Sequence, residues 1–340
     1  IKINFNKNQS LISNSTAWGK SISIISFSLI ICCCSSFAKK KKPYLPEPSK
    51  RDTETILGIQ IYLDENNFGP GKIDGQMGQF TRKAVAHYNF SKGISYDNYH
   101  EVIQSSKANI TELFTTYTIE DKDFTYVGEV SLEPEEQSKI EYMYYRSILE
   151  FVAERFHSDE KFLTKINPEV IWEELKIGTE IKVPNVTPFE IEKLGVDKSF
   201  RKDRKLSNRL VIVDTNQKLI AIWEKKKILA TFPITPGQEK FIHRGNWVIQ
   251  NMITTPTFRW DQSMLETGKR SNKAFMLPPG PNSPIGIFWA GLSKAGIGLH
   301  GTASPHTIGR SRSAGCVRLA NWDVVRLSDL VRPGAQVEMR

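Results

Sequence analysis

The chain has 340 residues, 39% of them hydrophobic and 24% charged, with a formal charge of +9. That length suits two or three domains, and that composition is one of a soluble globular protein, not of a disordered one. The basic excess is local: residues 207–340 carry 18 Lys+Arg against 8 Asp+Glu, whereas the remainder carries 28 against 29. A basic surface suits nucleic acid or another anionic polymer. No RNP, KH, zinc-finger or helix-turn-helix signature is present, so no nucleic-acid partner is expected.

Near the N-terminus, SISIISFSLIICCCSSFA (21–38) follows Lys20 and ends in Ser36-Phe37-Ala38. Its apolar heart is shorter than the roughly 20 residues a spanning helix needs. Residues 1–38 are therefore expected to be a signal peptide cleaved after Ala38, or else a retained anchor that tethers the protein to a membrane. Lys39 to Lys42 count against a clean signal. Lipidation at Cys32 is a further option, disfavoured by Ile30 and Ile31. Three of the four cysteines, Cys32, Cys33 and Cys34, lie in this segment, so its removal leaves Cys316 as the only thiol. A lone thiol in an oxidising compartment is exposed to oxidation and mispairing, which singles it out. The expected location is the periplasm or cell envelope.

Residues 39–52, basic and Pro-rich, read as an extended linker. Residues 53–95 hold two helical patterns, Leu57 with Ile61 and Ala84 with Val85 and Tyr88, around a Gly/Pro/Asp turn cluster. Within them Ile73-Asp74-Gly75, Gly78, Thr81, Ala84-Val85 and Gly93 resemble the helical peptidoglycan-binding domain found beside many wall enzymes. The alternative is a helical hairpin with no ligand. Residues 96–141 are unassigned apart from a strand-like TYT around Tyr117.

Residues 142–186 predict a helix with Ile148, Val152 and Phe156 four apart, a second short helix at FLTKIN, and a strand at Ile181 and Val183 ended by Pro184. Ala153, Phe156, Leu163, Asn167, Leu175, Gly178, Ile181, Val183 and Pro184 resemble LysM, a glycan-binding fold. The opening strand, expected around Tyr144, lacks the usual Gly-Asp turn, and a structural α/β spacer is the alternative reading. Residues 187–206 are charged and read as a second linker. From Leu210 onward, short alternating strands broken by frequent turns predict a mainly β sandwich over residues 207–340, closed by helical spacing from Asp323 to Val331.

The chemistry concentrates in LHGTASPHTIGRSRSAGCVRL (299–319). A thiol of ordinary pKa is mostly protonated at neutral pH and needs a base or local positive charge. His300 supplies a candidate base, and Arg310, Arg312 and Arg318 supply charge. Backbone N–H groups around Ala314, Gly315 and Cys316 are candidates to hold an oxyanion. A buried, inert cysteine in a Gly-rich loop is the competing reading.

The order LHGT, TIG, SAGCVRL, preceded by LVIVDTNQKLIAIWE, FPITPG and LPPGPNSPIG, resembles the L,D-transpeptidase catalytic domain (YkuD type) over residues 207–340. The resemblance implies Cys316 as nucleophile, His300 as general base, Gly301 as the carbonyl that orients the imidazole, and Ser313 and Arg318 as residues that shape the pocket and touch substrate. His306 and His243 are read as loop and turn residues, and the Ile242-His243-Arg244-Gly245 turn keeps only the Gly of the family's usual Thr-Pro-x-Gly. No His/Cys/Asp cluster has metal-ligand spacing, so neither metal nor cofactor is expected. The implied fold class is an α+β multidomain protein with a C-terminal β sandwich of L,D-transpeptidase type. The implied partners are peptidoglycan stem peptides and glycan. The implied reaction is acyl transfer through a Cys316 thioester with release of D-Ala and cross-linking of stems. A stem carboxypeptidase and a non-catalytic wall-binding protein are the alternatives.

Overall fold

The structure is a computed structural model and describes residues 43–196, 198–310 and 315–340. The expected signal or anchor lies outside the described residues, as do Arg312, Ser313 and Ala314. No helix among the described residues is long and apolar enough to cross a membrane.

Helices α1 (Thr53–Glu65), α2 (Gln79–Ser91) and α3 (His100–Asn109) form the first module. Ile56, Ile59 and Leu63 from α1 meet Ala84, Val85 and Tyr88 from α2 and Val102 from α3 in one apolar core. Gln60, buried among them, donates to Asp74 Oδ1 at 3.0 Å and to the Gln76 carbonyl at 3.1 Å. Its carbonyl accepts the Gly75 N–H at 2.8 Å. One amide thus satisfies the polar groups of the Gly/Asp turn between the two helices. Helix α3 falls in the stretch left unassigned by sequence.

The expected linker at 39–52 is, over its described part, a strap on this module. Leu45 N–H donates to Asn98 Oδ1 at 3.1 Å, Tyr99 N–H donates to the Leu45 carbonyl at 2.8 Å, and Arg82 pairs with Glu47 at 2.8 Å.

The second module pairs strands β1 (Phe114–Thr118) and β2 (Glu180–Pro184) in antiparallel register, Phe114 opposite Pro184 and Thr118 opposite Glu180. Between them come two single turns, α4 (Asp121–Phe124) and α5 (Pro134–Gln137), then α6 (Ile148–Arg155) and α7 (Glu160–Ile166). The partner of β2 is therefore the TYT strand, not a strand near Tyr144, and the module reaches back across the boundary expected at 142. Ser147 caps α6 by accepting the Glu150 N–H at 3.0 Å.

The segment expected to link modules at 187–206 is packed instead. Phe189 and Ile191 are buried in the main core, and the buried Arg155 binds Glu192 bidentately at 2.8 and 3.0 Å. Charged composition concealed the two apolar anchors that dock it.

The C-terminal region has strands β3 (Leu210–Asp214), β4 (Leu219–Glu224), β5 (Lys227–Pro233), β6 (Gly245–Thr254), β7 (Phe258–Trp260), β8 (Phe275–Leu277), β9 (Phe288–Leu292), β10 (Gly298–His300), β11 (Val317–Arg318) and β12 (Gln336–Met339), with helices α8 (Gln262–Thr267) and α9 (Asn321–Leu330). Eight strands join one sheet in the order β11-β10-β9-β6-β12-β3-β4-β5. Just past β5, Thr235 exchanges hydrogen bonds with Arg318 of β11 at 2.9 and 3.0 Å. The two ends of the strand order thereby meet, so the sheet curls on itself. This corrects the expected two-sheet sandwich: alternation reports which face is buried, not whether two faces belong to one sheet or two. Strands β7 and β8 form a separate pair carrying α8.

The modules are docked, not strung out. Phe68 bridges β5 through Thr231, Ile228 joins the core of the helical module, and residues from 43 onward form one compact unit.

Candidate active site

Strands β10 and β11 pair in parallel, Leu299 opposite Val317 and His300 opposite Arg318. Leu299 and Val317 point into the core, at 0% and 1% exposure. Side chains alternate along a strand, so His300, Arg318 and Cys316 all project from the other face. Two positions along one strand and one strand across separate His300 from Cys316, about 8 Å between Cα atoms for a ~4.8 Å strand spacing and ~3.3 Å rise. The chain departs from the sheet after β10 and rejoins it one strand over at β11. The shared face opens into a pocket of about 730 Å³ lined by Cys316, His300, Arg318, Trp289 and Gln238, with Trp260 from the β7–β8 arm.

His300 is buried, and its Nδ1 lies 2.6 Å from the Gly301 carbonyl. A carbonyl only accepts, so Nδ1 carries the proton and the neutral ring keeps its lone pair on Nε2. Burial pulls the imidazole pKa down to about 4; the Gly301 bond opposes this and the Arg318 charge adds to it. The Trp289 ring stacks on the imidazole at 5.8 Å between centroids and 22° between planes. The Cys316 thiol donates to the Gly296 carbonyl at 3.4 Å. Burial pushes it up to about 11, against a backbone hydrogen bond from Gly298 that lowers it. Cys316 is nonetheless part-exposed at the pocket. Both shifts favour a neutral thiol and a neutral imidazole over a preformed ion pair.

Residues 208–339 match the family model described as the L,D-transpeptidase catalytic domain, YkuD. That stretch is an L,D-transpeptidase catalytic domain. The chain is 26% identical over 192 residues to a Bacillus licheniformis protein provisionally named L,D-transpeptidase YkuD, covering 56% of this chain and 92% of that one. It is 33% identical over 113 residues to the Escherichia coli protein provisionally named L,D-transpeptidase ErfK/SrfK, covering 32% of this chain and 36% of that one. Among solved structures, an L,D-transpeptidase from Mycobacterium smegmatis aligns at 13% identity and a TM-score of 0.33, over 48% of this chain and 74% of that one.

Within the L,D-transpeptidase domain, Gly315 adopts φ +115°, a region closed to most L side chains. Gly237 of the FPITPG stretch packs on it so closely that a Cβ there would lie 2.6 Å from the Gly315 Cα. These two glycines let the chain before Cys316 pass against the strand end at Thr235.

Of the arginines that the sequence put forward, Arg312 lies outside the described residues. Arg310 lines a different pocket with Lys72 and Asp74, away from the thiol. Arg318 bears on His300, and burial is the largest influence on the thiol. His306 lines a pocket with Arg146 and Glu160, and the His243 carbonyl accepts the Trp247 indole N–H at 2.8 Å, so neither histidine reaches Cys316's pocket. Sequence reading missed Trp289, the β7–β8 arm and Asn321. Asn321 lies five residues past Cys316, yet nothing in its residue type marks it. Among the described residues no cluster of His, Cys, Asp and Glu is arranged to hold a metal.

Proposed function

We propose that the protein is a peptidoglycan L,D-transpeptidase in which Cys316 is the nucleophile and His300 the general base. The observation that carries this is the shared pocket face of Cys316 and His300, with the Gly301 carbonyl holding the Nδ1 proton and leaving Nε2 free to receive one.

In the first half-reaction the Cys316 sulfur attacks the carbonyl carbon of the third residue in a tetrapeptide stem, and its proton passes to His300 Nε2. The carbonyl oxygen becomes an oxyanion held by backbone N–H groups around Gly315 and Cys316, with Ala314 beside them. Collapse breaks the amide bond; D-Ala leaves with the proton from Nε2, and a thioester remains on sulfur. In the second half-reaction a side-chain amine of a neighbouring stem attacks the thioester and gives a proton to Nε2. Collapse forms the cross-linking amide and returns sulfur and proton to the thiol. A base whose pKa is near 4 is unprotonated throughout the neutral range, so it is ready at each attack.

Ser313 and Arg318 are assigned to shaping the stem-binding pocket. The upstream modules, residues 53–95 and 142–186, are assigned to holding wall polymer, which raises its local concentration at the pocket. The location that follows is the cell envelope, by export or by a retained anchor.

Incubation with tetrapeptide-bearing disaccharides tests the reading. D-Ala release with dimers joined between third residues is expected, absent in Cys316→Ala. Monomeric tripeptide as sole product would make the enzyme a carboxypeptidase, and no turnover by folded protein would end the catalytic reading.

A further inference from the structure

The turn that holds His300 is itself held from behind, by an amide that a residue of the second module binds in turn. Asn321, fully buried at the first position of α9, accepts the Thr302 N–H on Oδ1 at 3.2 Å and the Ile287 N–H at 3.4 Å. The amide sits so tightly against Gly301 that a Cβ there would lie 2.2 Å from Oδ1. Its Nδ2 donates to Glu154 Oε1 at 2.9 Å and to the Pro281 carbonyl at 3.3 Å. Glu154 comes from α6 and is 5% exposed, and the same Oε1 accepts the Tyr145 hydroxyl at 2.7 Å.

The amide has one workable orientation. The Thr302 N–H is an obligate donor and the Pro281 carbonyl an obligate acceptor, so Oδ1 faces the turn and Nδ2 faces Glu154. A flipped amide would leave buried donors facing each other and the Glu154 oxygen facing another oxygen.

We propose that Glu154 is a positioning residue for catalysis, acting from the second module: it fixes the Asn321 amide, which fixes the Gly301–Thr302 turn, whose carbonyl sets the tautomer and direction of His300. The inference rests on His300 being the general base. It makes the upstream module a structural part of the active site as well as a neighbour of it. Burial holds the Glu154 carboxyl up to about 8, with the Tyr145 and Asn321 bonds opposing. At neutral pH it is thus largely an uncharged group, which glutamine imitates.

The test uses the full chain and four variants. Glu154→Leu removes the acceptor, Glu154→Gln keeps it, Tyr145→Phe removes only the other bond to the same oxygen, and Asn321→Ala breaks the chain one link on. Turnover of tetrapeptide stems is measured beside thermal stability and the ¹⁵N signals of the His300 ring. Glu154→Leu and Asn321→Ala are expected to lose at least about ten-fold in kcat with KM within two-fold, as small misplacements of a reacting group do. In both, the single Nδ1–H tautomer is expected to give way to a mixture. Glu154→Gln and Tyr145→Phe are expected to keep kcat within about three-fold, and the single tautomer, even where Tyr145→Phe lowers stability.

Equal kcat per folded molecule in all four variants, with one tautomer throughout, overturns the proposal and leaves Glu154 a packing residue. If Glu154→Leu does not fold, Asn321→Ala and the glutamine variant decide it by the same readouts. If the parent releases no D-Ala, the catalytic reading fails, while the ring signals still decide whether Glu154 positions His300.

Discussion

At the residue scale the decisive quantities are two opposed shifts. Burial raises the Cys316 thiol to about 11 and lowers the His300 imidazole to about 4. A resting ion pair would need the reverse order. Alkylation by iodoacetamide, which consumes thiolate, is therefore expected to accelerate with pH through pH 9 without levelling; a plateau between pH 6 and 7 would show a preformed thiolate–imidazolium pair. The acid limb of kcat/KM is expected near pH 4, where His300 begins to protonate, and a limb near 6.5 would contradict its burial. Glu154 gives a stability prediction. Its folded pKa lies above its unfolded value of 4.5, so its favourable contribution is complete below about 4.5 and is lost as pH rises toward 8. Glu154→Gln, which does not titrate, is expected to flatten the fall in Tm over that window; an unchanged slope would mean that other buried carboxyls such as Asp323, also raised by burial, to about 7, set it. The proposed nucleophile and base stand out in sequence because their residue types are rare and their flanks distinctive. Their electrostatics do not, because a string of nearby arginines says nothing about where burial places the sulfur.

At the element scale, the parallel pairing of β10 with β11 converts a sixteen-residue separation into a shared face. The close pass of Gly237 against Gly315 is where that arrangement is most easily broken. Gly237→Ala would set a methyl 2.6 Å from backbone, with no flexible side chain to yield. Overpacking of that kind costs about 1–3 kcal/mol. A lower Tm together with much slower acylation of Cys316 by a carbapenem is expected, and parent-like acylation would show that the loop tolerates the shift. Strands β3 and β4 were readable because Val211 and Val213, then Ile220 and Ile222, alternate inward. Strand β1 was only a hint: its residues never become fully buried, so no clean period of two appears. Helix α3 was missed for a similar reason, since its buried face amounts to Val102, Ile103 and Ser106.

At the scale of the whole molecule, α9 is where both upstream modules grip the catalytic domain. Arg326 reaches Asp64 of α1 at 2.8 and 2.9 Å, and Asp64 also contacts His157 Nδ1 at 2.9 Å. Burial would raise the Asp64 pKa, but Arg326 and His157 bring it down to about 2. Asp64→Ala would leave Arg326 without its carboxylate, and breaking a buried pair in this way costs about 3–5 kcal/mol. A clear drop in Tm is expected, and an unchanged Tm would show that docking does not depend on the ion pair. The sequence reading took the stretches flanking the modules for linkers because their charge is high. It had no means of seeing that Phe189 and Ile191 are buried, or that Arg82 holds Glu47.

The acyl intermediate is where the proposed nucleophile and base are tested most directly. Mass mapping of the acid-quenched protein after brief exposure to a tetrapeptide stem is expected to find the tripeptide-stem acyl group on the peptide containing Cys316. It is expected to be absent in Cys316→Ala and to form far more slowly in His300→Gln. An acyl group on another residue, or its formation at parental rate without His300, would contradict the assignment of nucleophile and base.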